Sequence, residues 1–283
     1  TLITRGTYHT KQALHTSTGG EIAGVVESLG PGVRDVAAGD RVAAAVGYGG
    51  AREKVVVSAA SLIPVPAGVS DAVASGVSVT FGTAIHGLKD RGHVKPGETV
   101  AVLGASGGAG QAAIEIAKLM GARVIACASS DEKLALCAAL GADEVVNYDA
   151  VDLKQALKDL TGGRGVDVVY DCVGDRYAEP AVRALAWEGR FLVVGFAAGE
   201  IPKLPLNLLM LKGAAAIGVF WGEAVRRNPA AHRANMIQVL DWVAAGKLAP
   251  RIHGLYPLAE IREAIGVLDR REAVGKVVLT MSD

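Results

Sequence analysis

Thr99-Val-Ala-Val-Leu-Gly-Ala-Ser-Gly-Gly-Ala-Gly110 decides the reading of this chain. Thr99 to Leu103 is a short apolar run, the pattern of a strand covered on both faces. Gly104 to Gly110 is a glycine-rich loop, and Gln111 to Met120 carries apolar side chains at helical spacing before Gly121 ends it. Strand, glycine loop and helix in this order make an anion-binding turn. Glycines let the backbone approach a pyrophosphate, and the helix N-terminus offers free N–H groups and the positive end of its dipole. Here Ala105-x-Gly107-x-x-Gly110 stands in for G-x-G-x-x-G, with Ala for the first Gly. The context favours dinucleotide binding; a tight βα turn without a ligand is the alternative.

Beyond it, Arg123 to Ala128 reads as the next strand, and Asp131 to Leu140 as a helix closed by Gly141. Val145-Val146, Asp167 to Asp171, Arg190 to Val194 and Ala214 to Phe220 supply further short strands. This βαβ alternation predicts an α/β fold with a doubly wound parallel sheet. A helix from Pro229 is well punctuated, with Asn228 as cap, Gly246 as stop, and Met236, Leu240 and Val243 on one face. Upstream, Ile22–Val26, Arg41–Val46 and Lys54–Val57 alternate with Gly and Asp turns, so an antiparallel β unit is expected. Beyond Pro250 short strands return, ending in Gly275 to Leu279.

Composition narrows the function. The 283 residues are 51% hydrophobic and 20% charged, which excludes a disordered chain. Lys and Arg number 29, as do Asp and Glu, so no global field attracts nucleic acid or anionic lipid. The apolar stretches fall short of the roughly 20 residues of a transmembrane helix. Cys127, Cys137 and Cys172 have neither disulfide-framework nor zinc-site spacing, and a reducing, cytoplasmic location is expected. The start at Thr1 lacks a methionine and a signal sequence, so the natural beginning is expected to be missing.

The dinucleotide is chosen near the end of the second strand, where an acidic side chain would grip an unphosphorylated ribose. The chain has Ala128-Ser129-Ser130 there, followed by Asp131 and Lys133. Hydroxyl donors and a lysine favour NADPH over NADH; Asp131 keeps NADH open. The alternative is that Ser129 and Ser130 only cap the next helix and Lys133 is an ordinary surface lysine.

Arg5-Gly-Thr-Tyr8, Gly20-Glu-Ile-Ala-Gly24, Gly39-Asp-Arg-Val42, Val79-Thr-Phe-Gly-Thr-Ala84, Lys95-Pro-Gly-Glu98, Gly104 to Gly110, Leu140-Gly-Ala-Asp143, Gly165 to Asp171, Val194-Gly-Phe196 and Gly275-Lys-Val-Val278 occur in order. In this order and spacing the chain resembles the zinc-independent quinone oxidoreductase branch of the medium-chain dehydrogenase/reductase superfamily, the group that includes zeta-crystallin. The resemblance implies a GroES-like β domain from residues 1–78 and 250–283, N-terminally truncated, and a Rossmann domain at 79–249, with a cleft between. Ser106, Gly107, Gly108, Ala109 and Gly110 would cradle the pyrophosphate, and Ser129, Lys133 and Tyr148 would meet a 2′-phosphate. Thr80, Gly174, Gly195, Phe196, Phe220 and Trp221 would complete the cofactor site toward the nicotinamide, with packing as the alternative for the three aromatics. Tyr8 would look into the substrate cleft as a candidate proton donor or a wall residue. A homodimer through the edge strand 214–220 is implied as well.

The zinc-dependent relatives place His before the Glu of GHExxG; this chain has Gly20 before Glu21, and it lacks the four close cysteines of a structural zinc lobe. No metal is expected. Without one, hydride transfer from NADPH to an electrophilic quinone is the expected reaction, with a 2-enoyl or enone reductase as runner-up and a non-catalytic NADPH-binding protein as the rival class. Besides the missing N-terminal segment, two departures from the family pattern fall in the β domain. Leu14 to Glu21 lacks the usual prolines, and Gly50-Ala-Arg-Glu-Lys54 lacks two aromatics.

Overall fold

The computed structural model describes residues 17–270 and 272–281. The chain divides into two compact units, one from Thr1–Gly82 with Val225–Asp283 and one from Thr83–Ala224.

In chain order the first segment forms β1 (Glu21–Val25), β2 (Arg41–Ala45), β3 (Ile63–Pro64), α1 (Asp71–Ala74) and α2 (Ser78–Ile85). β1, β2 and β3 make an antiparallel sheet in that order, over a small cluster of Val42, Ala44 and Leu62. The antiparallel unit is as expected, but Lys54–Val57 is not a strand. Val56 is fully exposed, and the second edge of β2 is taken by Ile63 and Pro64.

The central segment carries β4 (Thr99–Leu103), α3 (Gly108–Leu119), β5 (Arg123–Ala128), α4 (Asp131–Ala139), β6 (Glu144–Asn147), α5 (Leu153–Asp159) and β7 (Val166–Asp171). It continues with α6 (Ala178–Arg183), β8 (Leu185–Val193), α7 (Asn207–Met210), β9 (Ala215–Gly218) and α8 (Trp221–Arg227). The six strands form one parallel sheet in the order β6-β5-β4-β7-β8-β9. That order reverses direction beside β4, as in a dinucleotide-binding sheet. All five residues of β4 are buried, as a strand between two helical layers requires. Leu103, Ile125, Leu157, Val169, Leu185 and Phe191 lie in the core of this unit. β8 starts five residues before the expected Arg190, with a register shift against β7 and Glu188 at φ 58°.

Charged groups tie the strands at their N-terminal side. Arg190 clamps Glu98 with two hydrogen bonds of 2.9 and 2.6 Å. Asp167 accepts from the Thr99 N–H at 2.7 Å and from Arg164. Within β7, Tyr170 is fully buried, and its hydroxyl has no hydrogen-bond partner. Its ring fills space that only a glycine leaves open, since a Cβ on Gly87 would lie 2.9 Å from Tyr170 Cε2.

The last segment forms α9 (Pro229–Ala244), β10 (Ile252–Pro257), α10 (Ile261–Asp269) and β11 (Lys276–Thr280). Asn228 caps α9 by accepting from the Ala231 N–H at 3.1 Å. Met236, Val239 and Leu240 are its buried apolar residues. Sequence placed this helix within the central domain; its packing is with the flanking unit, where Arg233 Nε donates to the Leu62 carbonyl at 3.2 Å. β10 and β11 pair in parallel.

Candidate cofactor site

The expected site residues of the central unit follow the C-terminal ends of its strands, in sheet order. Tyr148 follows β6, Ser129 follows β5, Ser106 to Gly110 follow β4, Gly174 follows β7, Gly195 and Phe196 follow β8, and Phe220 and Trp221 follow β9. Ligands of open α/β sheets bind along this edge, where the strand order reverses.

The glycine loop divides its duties. Gly104, not the position held by Ala105, takes the positive φ (70°) of the tight turn, which is why Ala105 is tolerated. At Gly110 a Cβ would come within 2.3 Å of the Gly104 oxygen and 2.6 Å of Ala105 Cα, so this glycine lets α3 press against the end of β4. Gly107 caps α3 with no side-chain hydrogen bond, and a Cβ there would stand at an ordinary 3.4 Å from the Gly104 oxygen. Gly107 and Gly108 are exposed, and the first-turn N–H groups of Gly108, Ala109 and Gly110 have no intrahelical acceptor. This uncapped, side-chain-free helix start is what a pyrophosphate requires. α3 also begins three residues before the expected Gln111. Gln111 itself was not foreseen as part of the site: largely buried, it donates from Nε2 to the Ser106 carbonyl at 2.7 Å and braces the loop.

At the end of β5 the two serines separate. Ser130 caps α4, accepting from the Lys133 N–H at 3.4 Å, so the capping alternative holds for this residue. Ser129 instead accepts from Lys133 Nζ at 2.9 Å, which places a hydroxyl and an ammonium side by side at the surface. The Asp131 carboxylate accepts from Asn147 Nδ2 at 3.0 Å. Tyr148 is held by its N–H on the Ala128 carbonyl at 3.1 Å and packs half-buried against the core. Burial first, and then the nearby Tyr177 and Asp149, push its phenol up to about 12, so it is a neutral hydrogen-bond donor. The ends of β5 and β6 thus carry a hydroxyl, an ammonium and a neutral phenol.

Asp171, at the end of β7, was legible only as a strand residue. Its buried carboxylate accepts from the N–H groups of Val173 (2.8 Å) and Gly174 (3.0 Å), fixing the loop. Burial pushes its carboxyl above the ordinary carboxylate range, and the two N–H bonds only partly offset that. Gly174 sits at φ 71°, and a Cβ on it would meet Phe196 Cδ1 at 2.8 Å. Phe196 is partly exposed and Phe220 mostly so, while Trp221 is half-buried.

Two expected residues belong to the other unit. Thr80 lies half-buried in α2, next to Val79. The Val79 N–H donates to Glu21 Oε1 at 2.7 Å, and Lys276 Nζ donates to Glu21 Oε2 at 2.5 Å. Tyr8 lies outside the described residues. Among the described residues no three His, Cys, Asp or Glu side chains converge in a metal-binding group.

Residues 1–67 match the family described as alcohol dehydrogenase GroES-like domain, and residues 108–245 the family described as zinc-binding dehydrogenase. The chain is 38% identical to quinone oxidoreductase-like protein 2 of Bos taurus over 281 residues, 99% of this chain and 80% of the relative. A mycobacterial protein solved in complex with NADPH is 30% identical with a TM-score of 0.87, over 97% of this chain and 87% of that one. The CurK enoyl reductase structure is 27% identical with a TM-score of 0.85, over 99% and 84%.

Proposed function

Because the chain belongs to the quinone oxidoreductase branch of the medium-chain dehydrogenase/reductase superfamily, we propose that it is an NADPH-dependent, zinc-independent oxidoreductase that reduces quinones. The observation that carries this reading is the Ser129–Lys133 pair at the end of β5, beside an uncapped glycine loop at the end of β4. When bound, NADPH supplies a hydride, which with one proton from water or Tyr8 converts a quinone to its hydroquinone. The first-turn N–H groups of α3 bind the pyrophosphate, and Ser129, Lys133 and Tyr148 bind the 2′-phosphate. Gly174, Gly195, Phe196, Phe220 and Trp221 serve the nicotinamide end.

The donor chemistry supports zinc independence. Glu21 is committed to Lys276 and the Val79 N–H. Burial pushes the thiols of Cys137 and Cys172 up to about 11 and 12, and that of Cys127 higher still, so none is a ready thiolate. Three free cysteines also suit a cytoplasmic setting, and no helix among the described residues is long and apolar enough to cross a membrane. β9 is an edge strand with Ala215, Ala216 and Gly218 exposed, which supports a homodimer paired through it. Sedimentation as a monomer at micromolar concentration would remove the dimer.

The similarity to an enoyl reductase keeps enone reduction as the second reading. The purified protein is to be assayed for NADPH and NADH oxidation, separately, with 1,4-benzoquinone, 9,10-phenanthrenequinone and a simple enone. NADPH-selective turnover with quinones supports the proposal, and turnover confined to the enone supports the second reading. Saturable NADPH binding without turnover would identify a non-catalytic binding protein.

A further inference from the structure

Directly after Tyr148, one of the residues assigned to the 2′-phosphate, stands Asp149. Its Oδ1 accepts from Arg176 Nη2 at 2.7 Å and from the Tyr177 hydroxyl at 2.5 Å. Arg176 Nη2 also lies 2.8 Å from the Tyr177 hydroxyl, and its guanidinium sits over the Tyr177 ring, 4.9 Å from the centroid. The Tyr177 ring in turn lies 4.2 Å from that of Tyr148, with the planes tilted by 41°. A chain of direct contacts therefore runs from Arg176 through Asp149 and Tyr177 to Tyr148. It joins the loops after β6 and β7, strands that β5 and β4 separate in the sheet.

The charges around the seat give this chain of contacts a meaning. Lys133 brings one positive charge, while Asp131 and Asp149 bring two negative ones. Asp131 accepts from the neutral amide of Asn147. Arg176 is the cation on Asp149. With Arg176 in place these four groups sum to zero and Lys133 can act on an added anion. Without it the surroundings are net negative, and a phosphate, with its charge of roughly −1.5 to −2, is repelled.

We propose that Arg176 is a specificity-determining residue for the phosphorylated adenosine, because its ion pair with Asp149 removes a negative charge that would otherwise oppose a 2′-phosphate. The inference rests on the reading of Ser129, Lys133 and Tyr148 as the phosphate seat. It adds a residue from a different strand loop, set 28 positions beyond Tyr148 in the chain. Asp149 is also one of the groups that raise the Tyr148 phenol, after burial and Tyr177, which places its charge within reach of that hydroxyl.

The test is calorimetric titration of the full chain with 2′,5′-ADP and with 5′-AMP, which differ by the 2′-phosphate and need no hydride chemistry. Arg176 is mostly exposed, so its replacement removes no core packing. Arg176→Ala is expected to weaken 2′,5′-ADP by about tenfold while leaving 5′-AMP within about twofold, an effect that shrinks at high salt. Arg176→Lys keeps the charge and should retain the preference. The double variant Arg176→Ala with Asp149→Asn removes both charges and should recover most of the lost 2′,5′-ADP affinity, the signature of a coupled pair.

Equal weakening of both nucleotides by Arg176→Ala would make the residue a mere prop for the tyrosine pair and overturn the proposal. So would an unchanged preference, or a selective loss that Asp149→Asn does not repair. Wild-type protein that binds 5′-AMP as tightly as 2′,5′-ADP would instead refute the phosphate seat itself, and this inference with it.

Discussion

Replacing Gly110 by alanine puts a methyl carbon 2.3 Å from the Gly104 oxygen, 2.6 Å from Ala105 Cα and 2.8 Å from Ala105 C. Non-bonded heavy atoms settle at roughly 3.5–4.0 Å, so α3 and the end of β4 must part by about 1 Å. The obstructing atoms are backbone, and the surroundings are dry: Leu103, Ala105, Ala112, Ala113 and Ile114 are all fully buried. Nothing flexible can absorb the shift. The expected cost is at the top of the overpacking range, about 3 kcal/mol, or a fall in Tm of about 5–10 °C for a chain of this size. Gly107→Ala is the control for the other duty of the loop. Its Cβ meets only the Gly104 oxygen, at 3.4 Å, and the backbone φ of −75° suits any residue. Stability should fall by no more than about 1 kcal/mol, the loss of a weak helix cap. The methyl nevertheless stands on the exposed face where the pyrophosphate must approach, so NADPH affinity should drop at least about tenfold. Thermal melts and NADPH titration of both variants make the test. A Gly110→Ala variant melting with the wild type would refute the packing argument, and a Gly107→Ala variant binding NADPH normally would refute the approach argument.

Lys133→Ala should lower kcat/KM for NADPH by about tenfold to a hundredfold, the worth of a hydrogen bond to a charged group, and leave NADH unchanged; parallel steady-state assays decide. Tyr170→Phe deletes a buried hydroxyl that has no partner and should stabilise the chain by about 1 kcal/mol in urea unfolding; a loss of stability would show that the hydroxyl is satisfied. The pH dependence of stability follows from Glu98, Asp143 and Asp167. Partial burial pushes each carboxyl up, but hydrogen bonds from Arg190, Lys118 and Arg164, with backbone N–H groups, outweigh it and leave all three below their ordinary values of 4.5 for Glu and 3.8 for Asp. A carboxyl depressed in the folded state contributes stability that is complete above its unfolded value and is lost as pH falls through the folded one. The contribution of these three carboxylates should therefore be level from pH about 7 to 5 and be lost below about 4. Glu98→Gln should make that loss smaller.

The sheet was legible because each strand obeys a local rule. β4 is an unbroken apolar run, and Gly121 and Gly141 stop the helices that return the chain to β5 and β6. Lys54–Val57 misled because an apolar run tells only that side chains can be buried, not that a partner strand is free; the edge of β2 went to Ile63 and Pro64. In the proposed site, the loop and the Ser129–Lys133 pair stand within one or two turns of a strand end, where short spacing can propose them. Gln111, Asp171 and the Arg176–Asp149–Tyr177 cluster were invisible for a different reason. Their roles arise from contacts across strand ends, such as Tyr177 against Tyr148, which no short spacing encodes. Gly104 shows a subtler gap: the motif named the position of Ala105, whereas the positive φ lies one residue earlier.

Loops at the ends of β4 and β5 that form an NADPH seat must bind that nucleotide saturably. Titrating the purified protein with NADPH and with NADH, followed by nicotinamide fluorescence, tests it most directly. Saturable binding of one NADPH per chain is expected, at least about tenfold tighter than NADH, as one charge-assisted contact to the phosphate requires. Absence of saturable binding by either nucleotide, or tighter binding of NADH, would contradict it.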